Sequence, residues 1–244
     1  MIDMKFAVVS NLHGNLLAIS SLLSEIEKLK EEGEQIDRIY VLGVFGYFPY
    51  AKEVCKLISN ANNIIAIRGF FDHAISRFSY EEEGKSELSE FELDIVKWNY
   101  ENLDRECRRW IRNEVPAFLA EKFGNNEILF VYGSPFDPIR GEVKPKQPTS
   151  YYESILAPFR KYELLIVAGK EEFIAETAYG KVVCPGALGF YQREKKPSYA
   201  IVDSKTLDVY FGNIEFDRAK VESRIKESGL PEEVVEILYH GKIS

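Results

Sequence analysis

The chain has 244 residues, of which 45% are hydrophobic, and this length and composition suit one large globular domain of the α/β class. Its formal net charge of -8 provides no basic field for a phosphate backbone, so nucleic-acid binding is not expected. No apolar run approaches membrane-spanning length and the first residues carry no signal-peptide pattern, so we expect neither a membrane protein nor a secreted one.

The cysteines give an expectation about location. Cys55, Cys107 and Cys184 are widely spaced, and they match neither a disulfide framework nor a paired-cysteine zinc motif. We therefore expect free thiols and a reducing cytoplasm.

Strands and helices alternate through the first third of the chain. A buried strand over residues 6–10 is followed by a helix over 16–32, a strand over 38–42, a helix over 50–59 and a strand over 64–67. Asp72 is placed to cap a short helix that begins at His73. Such alternation predicts a parallel sheet with its site along the carboxyl edge of the strands.

The remainder of the chain predicts a helical insertion and a second set of strands. The insertion spans about residues 77–118, and strands are expected over 127–132, 164–168, 179–183, 199–203 and 209–212. A helix is expected over about 151–160, and C-terminal helices over about 218–239. The whole chain, 1–244, is predicted to form a single domain.

The predicted strand ends carry six short segments that share an order and a glycine pattern. They are Asn11-Leu12-His13-Gly14-Asn15, Leu42-Gly43-Val44-Phe45-Gly46-Tyr47, Arg68-Gly69-Phe70-Phe71-Asp72, Val131-Tyr132-Gly133-Ser134-Pro135, Gly169-Lys170-Glu171-Glu172 and Cys184-Pro185-Gly186-Ala187-Leu188-Gly189. In order and spacing they resemble the successive motifs of the calcineurin-like metallophosphoesterases, in particular the prokaryotic branch with a helical insertion. The resemblance implies a four-layer αββα sandwich of two mixed sheets.

The resemblance also implies where metal ligands would fall. The family hydrolyses phosphate esters with two metal ions, and two cations need a bridging carboxylate. The family's ligand and leaving-group positions correspond here to Asn11, His13, Val44, Phe70, Phe71, Tyr132, Lys170 and Glu172. Only His13 keeps the family's residue, whereas Val44 replaces the bridging aspartate. We therefore expect no catalytic residue and no cofactor.

One metal-binding alternative stays open. Asn11, His13 and Glu172 correspond to one metal position, so a single divalent ion such as zinc, manganese or nickel could support residual phosphoesterase activity. Otherwise Glu172 is expected to pair with Lys170 or His13 and to hold the pocket shut.

The substitutions introduce aromatic rings, and two interpretations follow. In the first, Val44, Phe45, Phe70, Phe71 and Tyr132 fill the space left by metals and water. In the second, they line a groove for an uncharged or aromatic molecule, with polar contacts from His13, Arg68 and Lys170. The sequence predicts a non-catalytic binding or regulatory module whose partner is a small molecule or a protein. The aromatic insertion could also join copies of the chain in a homo-oligomer.

Overall fold

The computed structural model describes residues 4–78 and 88–243; residues 79–87, which belong to the predicted insertion, lie outside the described residues. The first part of the chain follows the predicted alternation of strand and helix. Its elements are β1 (Lys5–Ser10), α1 (Leu16–Glu31), β2 (Ile36–Leu42), α2 (Ala51–Ser59), β3 (Ile64–Ile67) and α3 (Phe70–Arg77). Helix α3 begins at Phe70 and not at His73, with Gly69 as its N-cap.

Two helices and a second set of strands follow. They are α4 (Glu90–Asn102), α5 (Arg105–Asn113), β4 (Phe118–Phe123), β5 (Asn126–Val131), α6 (Thr149–Leu156), a 3₁₀ turn (Ala157–Phe159), β6 (Leu164–Val167), β7 (Glu172–Thr177) and β8 (Gly180–Pro185). The chain then continues through β9 (Ser198–Asp203), β10 (Val209–Asn213), α7 (Arg218–Ser228) and α8 (Glu233–His240). Strands β4 and β7 were not predicted from the sequence.

The strands form two mixed five-stranded sheets. The first has the order β10-β9-β1-β2-β3 and the second the order β4-β5-β6-β8-β7. Strands β1, β2 and β3 are parallel, as are β5, β6 and β8, while the remaining pairings are antiparallel. The carboxyl ends of the parallel strands therefore deliver their loops to one edge of each sheet.

The two sheets pack face to face. Phe6 and Tyr40 of the first sheet meet Phe130 and Ile166 of the second in a fully buried layer, where the rings of Tyr40 and Phe130 stack with centroids 4.1 Å apart. Side chains that alternate to the other faces pack against helices, because successive residues of a strand point to opposite sides. The predicted four-layer α/β sandwich is confirmed.

A disulfide bond joins the helical insertion to the sandwich. Cys55 of α2 and Cys107 of α5 are bonded across 52 positions of sequence, whereas Cys184 is free and buried. The expectation of three free thiols was wrong, because the fold brings together two helices that the sequence keeps apart. The cytoplasmic location stays a prediction, and the cysteines no longer support it. Within the described part of the chain, none of the helices has the length and apolar character needed to cross a bilayer.

Candidate functional site

The loop after β1 is held by the amide of Asn11. Its Oδ1 accepts a hydrogen bond from the hydroxyl of Tyr132 at 2.8 Å, and its Nδ2 donates to the carbonyl of Gly169 at 2.9 Å. A carbonyl oxygen only accepts, so this pairing fixes which end of the amide is nitrogen. Asn11 also has a left-handed backbone, with φ of 51°, which asparagine tolerates better than most residues. The amide therefore joins the loops that follow β1, β5 and β6.

His13 lies in an enclosed, mostly aromatic environment. Its side chain is only 7% exposed, and its ring centroid lies 4.4 Å from that of Tyr47, 5.7 Å from Phe190 and 5.8 Å from Phe71. Burial, followed by the positive charge of Lys170, lowers the pKa of His13 from 6.5 to about 3. The imidazole is therefore neutral at pH 7.

Val44 does not face a site. It is fully buried in the core, and its backbone N–H donates to Asp72 at 2.9 Å. Valine offers no metal ligand, and Val44 lines neither of the two cavities at the strand ends.

Asp72 is a fully buried carboxylate, for which the sequence predicted only a role as a helix cap. Besides the bond from Val44, it accepts from the backbone N–H groups of Phe45 and Gly69, both at 2.7 Å. Burial raises the pKa of Asp72, opposed by these donors and by the charge of Arg68. The bond from Gly69, the N-cap residue of α3, is the acid half of a capping box, and the Ser or Thr that signals such a box in a sequence is absent because glycine has no side chain. Asp72 therefore ties the loop after β2 to the start of α3.

Arg68 is directed away from the strand-end cavities. Its Nη2 donates to the carbonyls of Ile111 and Arg112, each at 2.9 Å, at the end of α5. The guanidinium thus caps that helix, and it contributes no polar contact to the predicted groove.

An aromatic cavity of about 400 Å³ lies at the strand ends, next to Asn11 and His13. Phe70, Phe71 and Tyr132 line it and do not fill it. Tyr47 and Lys170 of the motif segments also line it, and the other lining residues lie outside those segments: Ser89, Phe91, Glu92, Phe190, Ile237, Gly241, Lys242 and Ile243. That this space is a groove for an uncharged or aromatic molecule stays a prediction.

A second cavity of about 320 Å³ shares Asn11, Tyr132 and Lys170 with the first. Its remaining lining residues are mostly polar or small: Gly141, Glu142, Val143, Pro145, Ala168, Gly169, Glu171 and Phe173. The two cavities therefore differ in chemistry, because six Phe and Tyr side chains line the first and only Tyr132 and Phe173 line the second.

Lys170 and Glu172 are not paired in the described residues. Lys170 Nζ donates to the carbonyl of Gly241 at 2.8 Å, just beyond the end of α8. Glu172 is exposed at the start of β7 and lines neither cavity. The predicted pairing of Glu172 with Lys170 or His13 is therefore not observed.

The residues at the strand ends do not fit a two-metal centre. Val44 supplies no ligand, the amide oxygen of Asn11 accepts a hydrogen bond, and Lys170 brings a positive charge. Over residues 4–78 and 88–243, no group of three or more His, Cys, Asp and Glu side chains is arranged to hold a metal ion. The set proposed for a single ion is not assembled either, because Glu172 does not reach the cavity that Asn11 and His13 line.

Solved structures identify the class of fold. A metallophosphoesterase from Sphaerobacter thermophilus is 21% identical to this chain, matches 98% of it and 100% of its own length, and superposes with a TM-score of 0.72. The chain has the calcineurin-like metallophosphoesterase fold, as its motifs predicted.

Nearer relatives define the family more narrowly. The chain belongs to the same family as the hypothetical protein PH1004 from Pyrococcus horikoshii, which is 42% identical over the full length of both chains, with a TM-score of 0.90. The uncharacterized protein MJ0912 from Methanocaldococcus jannaschii is 25% identical over 263 aligned positions, covering 99% of this chain. No protein-family model matches the chain.

Proposed function

We propose that this protein is a non-catalytic binding module that takes an aromatic small molecule at the strand ends of a metallophosphoesterase fold. The observation that carries the proposal is the aromatic cavity of about 400 Å³, which lies beside the only retained metal-ligand residue, His13. A cavity of this size lies within the range of roughly 300–1,000 Å³ that is usual for small-molecule sites.

The chemistry of the lining supports binding over hydrolysis. Phosphoester hydrolysis in this fold needs cations that polarise the phosphate and activate water. Here the positions that would hold them carry Val44, Phe70 and Lys170, which are apolar or positively charged. A cation close to Lys170 would be repelled at short range.

Metal content and hydrolysis test the absence of catalysis. Purified protein, incubated with manganese, zinc or nickel and then desalted, is expected to hold less than stoichiometric metal by inductively coupled plasma mass spectrometry. It is also expected to turn over neither p-nitrophenyl phosphate nor bis(p-nitrophenyl) phosphate. Stoichiometric metal together with turnover that His13→Ala abolishes would establish the residual phosphoesterase instead.

Binding of an uncharged aromatic probe tests the positive half of the proposal. Naphthalene-2-carboxamide is expected to bind with saturable heat in calorimetry, and to shift methyl and aromatic NMR signals of cavity residues such as Ile237 and Phe190. Ile237→Trp reduces the volume of the cavity and should weaken the binding of the probe. Val221→Ile, at a buried position of α7 that does not line the cavity, serves as the packing control. Equal binding by wild type and Ile237→Trp would contradict the assignment of the cavity.

A further inference from the structure

The polar groups that face the aromatic cavity are mostly hydrogen-bond donors, and His13 is the first of them. Its Nδ1 is buried without a hydrogen-bond partner, and it faces Gly46 so closely that a methyl group on that glycine would collide with it. A proton on Nδ1 would be a buried donor with no acceptor, which is costly. The neutral ring therefore carries its proton on Nε2, and Nε2 is left to donate to a molecule in the cavity.

Two ammonium groups stand on the side of the cavity formed by the C-terminal segment. Lys170 uses one N–H for the carbonyl of Gly241 at 2.8 Å, and an ammonium has three. Lys242, which follows Gly241 in the sequence, is exposed and lines the same cavity. The charge of Lys170 reaches into the site, since it contributes to the lowered pKa of His13.

Glu92 is the one carboxylate among the described residues that line this cavity. Its Oε2 accepts from both the backbone N–H and the hydroxyl of Ser89, each at 2.9 Å, in the capping box of α4. The positive end of the helix dipole offsets its charge there. The acidic group is thus engaged by the protein, whereas ammonium and imidazole N–H groups are left for a ligand.

Aromatic rings provide the rest of the surface. Flat rings from Tyr47, Phe70, Phe71, Phe91, Tyr132 and Phe190 line the cavity. Aromatic pairs at such contacts contribute beyond the area that they bury, and a planar ligand ring presents both face and edge to them.

We infer that the ligand is a planar aromatic acid, whose ring lies among the aromatic side chains and whose carboxylate binds the Lys170 ammonium and the His13 Nε2–H. This inference rests on the proposed function and narrows its ligand class from aromatic to aromatic and anionic. It makes no use of a metal ion.

Three probes separate the contributions of ring and charge. Naphthalene-2-carboxylate has both features, naphthalene-2-carboxamide has the ring alone, and cyclohexanecarboxylate has the charge alone. In calorimetry on the full-length protein at pH 7 and low salt, we expect the naphthoate to bind roughly tenfold or more tightly than either of the others, because a hydrogen bond to a charged group is stronger than a neutral one. Raising the salt concentration should weaken the binding of the naphthoate and leave the affinity for the carboxamide unchanged.

A matched pair of variants locates the carboxylate. Lys170→Met keeps the apolar stem and removes the charge, and it should reduce naphthoate affinity roughly tenfold while leaving the carboxamide within about twofold. Lys28→Met removes a charge from the exposed face of α1, a helix that contributes no residue to the lining of this cavity, and should change neither affinity. A melting temperature for each variant shows that it is folded.

The outcomes distinguish this inference from the proposed function. The inference that the ligand is an acid is overturned if the protein binds the carboxamide as tightly as the naphthoate or more tightly, or if Lys170→Met does not change the difference between the two affinities. The proposed binding function would still stand. Failure of both naphthalene probes, with the protein folded, overturns the two together. Cyclohexanecarboxylate binding as tightly as naphthoate overturns the aromatic requirement.

Discussion

Acidification should destabilise this protein through His13. The pKa of that imidazole is lowered from 6.5 to about 3, first by burial and then by the charge of Lys170. In the unfolded chain His13 titrates near its ordinary value of about 6.5. Between these two pH values the unfolded state binds more protons than the folded state, so stability rises with pH. The contribution is fully present above about pH 6.5 and is lost as the pH falls toward 3.

The size of the effect follows from the two pKa values. Integrated from pH 7 down to pH 4, the protonation of His13 in the unfolded state alone removes about 3 kcal/mol from the free energy of unfolding. His13→Asn abolishes the titration, and asparagine tolerates the left-handed backbone at this position, where φ is 52°. The variant loses ring contacts at every pH, so the informative quantity is the difference between the two pH dependences.

Denaturant unfolding at a series of pH values measures that difference. Between pH 7 and pH 4 the wild type should lose about 3 kcal/mol more than His13→Asn, with similar denaturant slopes for the two proteins. NMR titration gives an independent value, since the chain has only three histidines and the signal of His13 is the one missing from the variant. Parallel stability curves, or an imidazole that titrates near 6.5 in the folded protein, would refute the reasoning.

Two further predictions concern stability. Asp72→Asn leaves at least one of three buried backbone N–H groups without an acceptor, so it should lower the free energy of unfolding by about 2–4 kcal/mol. The control variant is Asp94→Asn, at an exposed position of α4, which should change the free energy of unfolding by less than about 0.5 kcal/mol. Equal denaturation midpoints for these two variants would contradict the role given to Asp72. Replacing both Cys55 and Cys107 by serine should cost about 4 kcal/mol, because the bond closes a loop of 52 positions in the unfolded chain. The same midpoint with and without reductant in the wild type would show that the bond does not stabilise the fold.

The parts of the fold that sequence reasoning predicted are those set by local pattern. Strand β3 has the predicted bounds, and α1 ends one residue before its predicted end. Strand β7 was missed because it lies at a sheet edge, where its residues are alternately exposed and half-buried and its first residue, Glu172, reads as part of a polar loop. The disulfide was missed for a different reason, since a pairing across 52 positions depends on how α2 and α5 pack.

The candidate site was predictable only on one side. Motif positions gave Asn11, His13, Phe70, Phe71, Tyr132 and Lys170, all of which line the aromatic cavity. Its other side comes from the start of α4 and from residues 237–243, which carry no motif and are placed by tertiary packing. The sequence could therefore predict the motif loops at the strand ends, but not the cavity that lies between these loops and the segments packed opposite them.

The persistence of the cavity follows from where its two sides are anchored. Phe70 and Phe71 support one another edge to face, with centroids 5.2 Å apart and planes at 74°, so these rings form a wall. The opposite side is held by the bond of 2.8 Å from Lys170 to the carbonyl of Gly241, and by contacts outside the cavity such as the bond of 2.8 Å from the indole N–H of Trp98 in α4 to the carbonyl of Ser228. A ligand would therefore meet a preformed shape and lose little affinity to reorganisation of the protein.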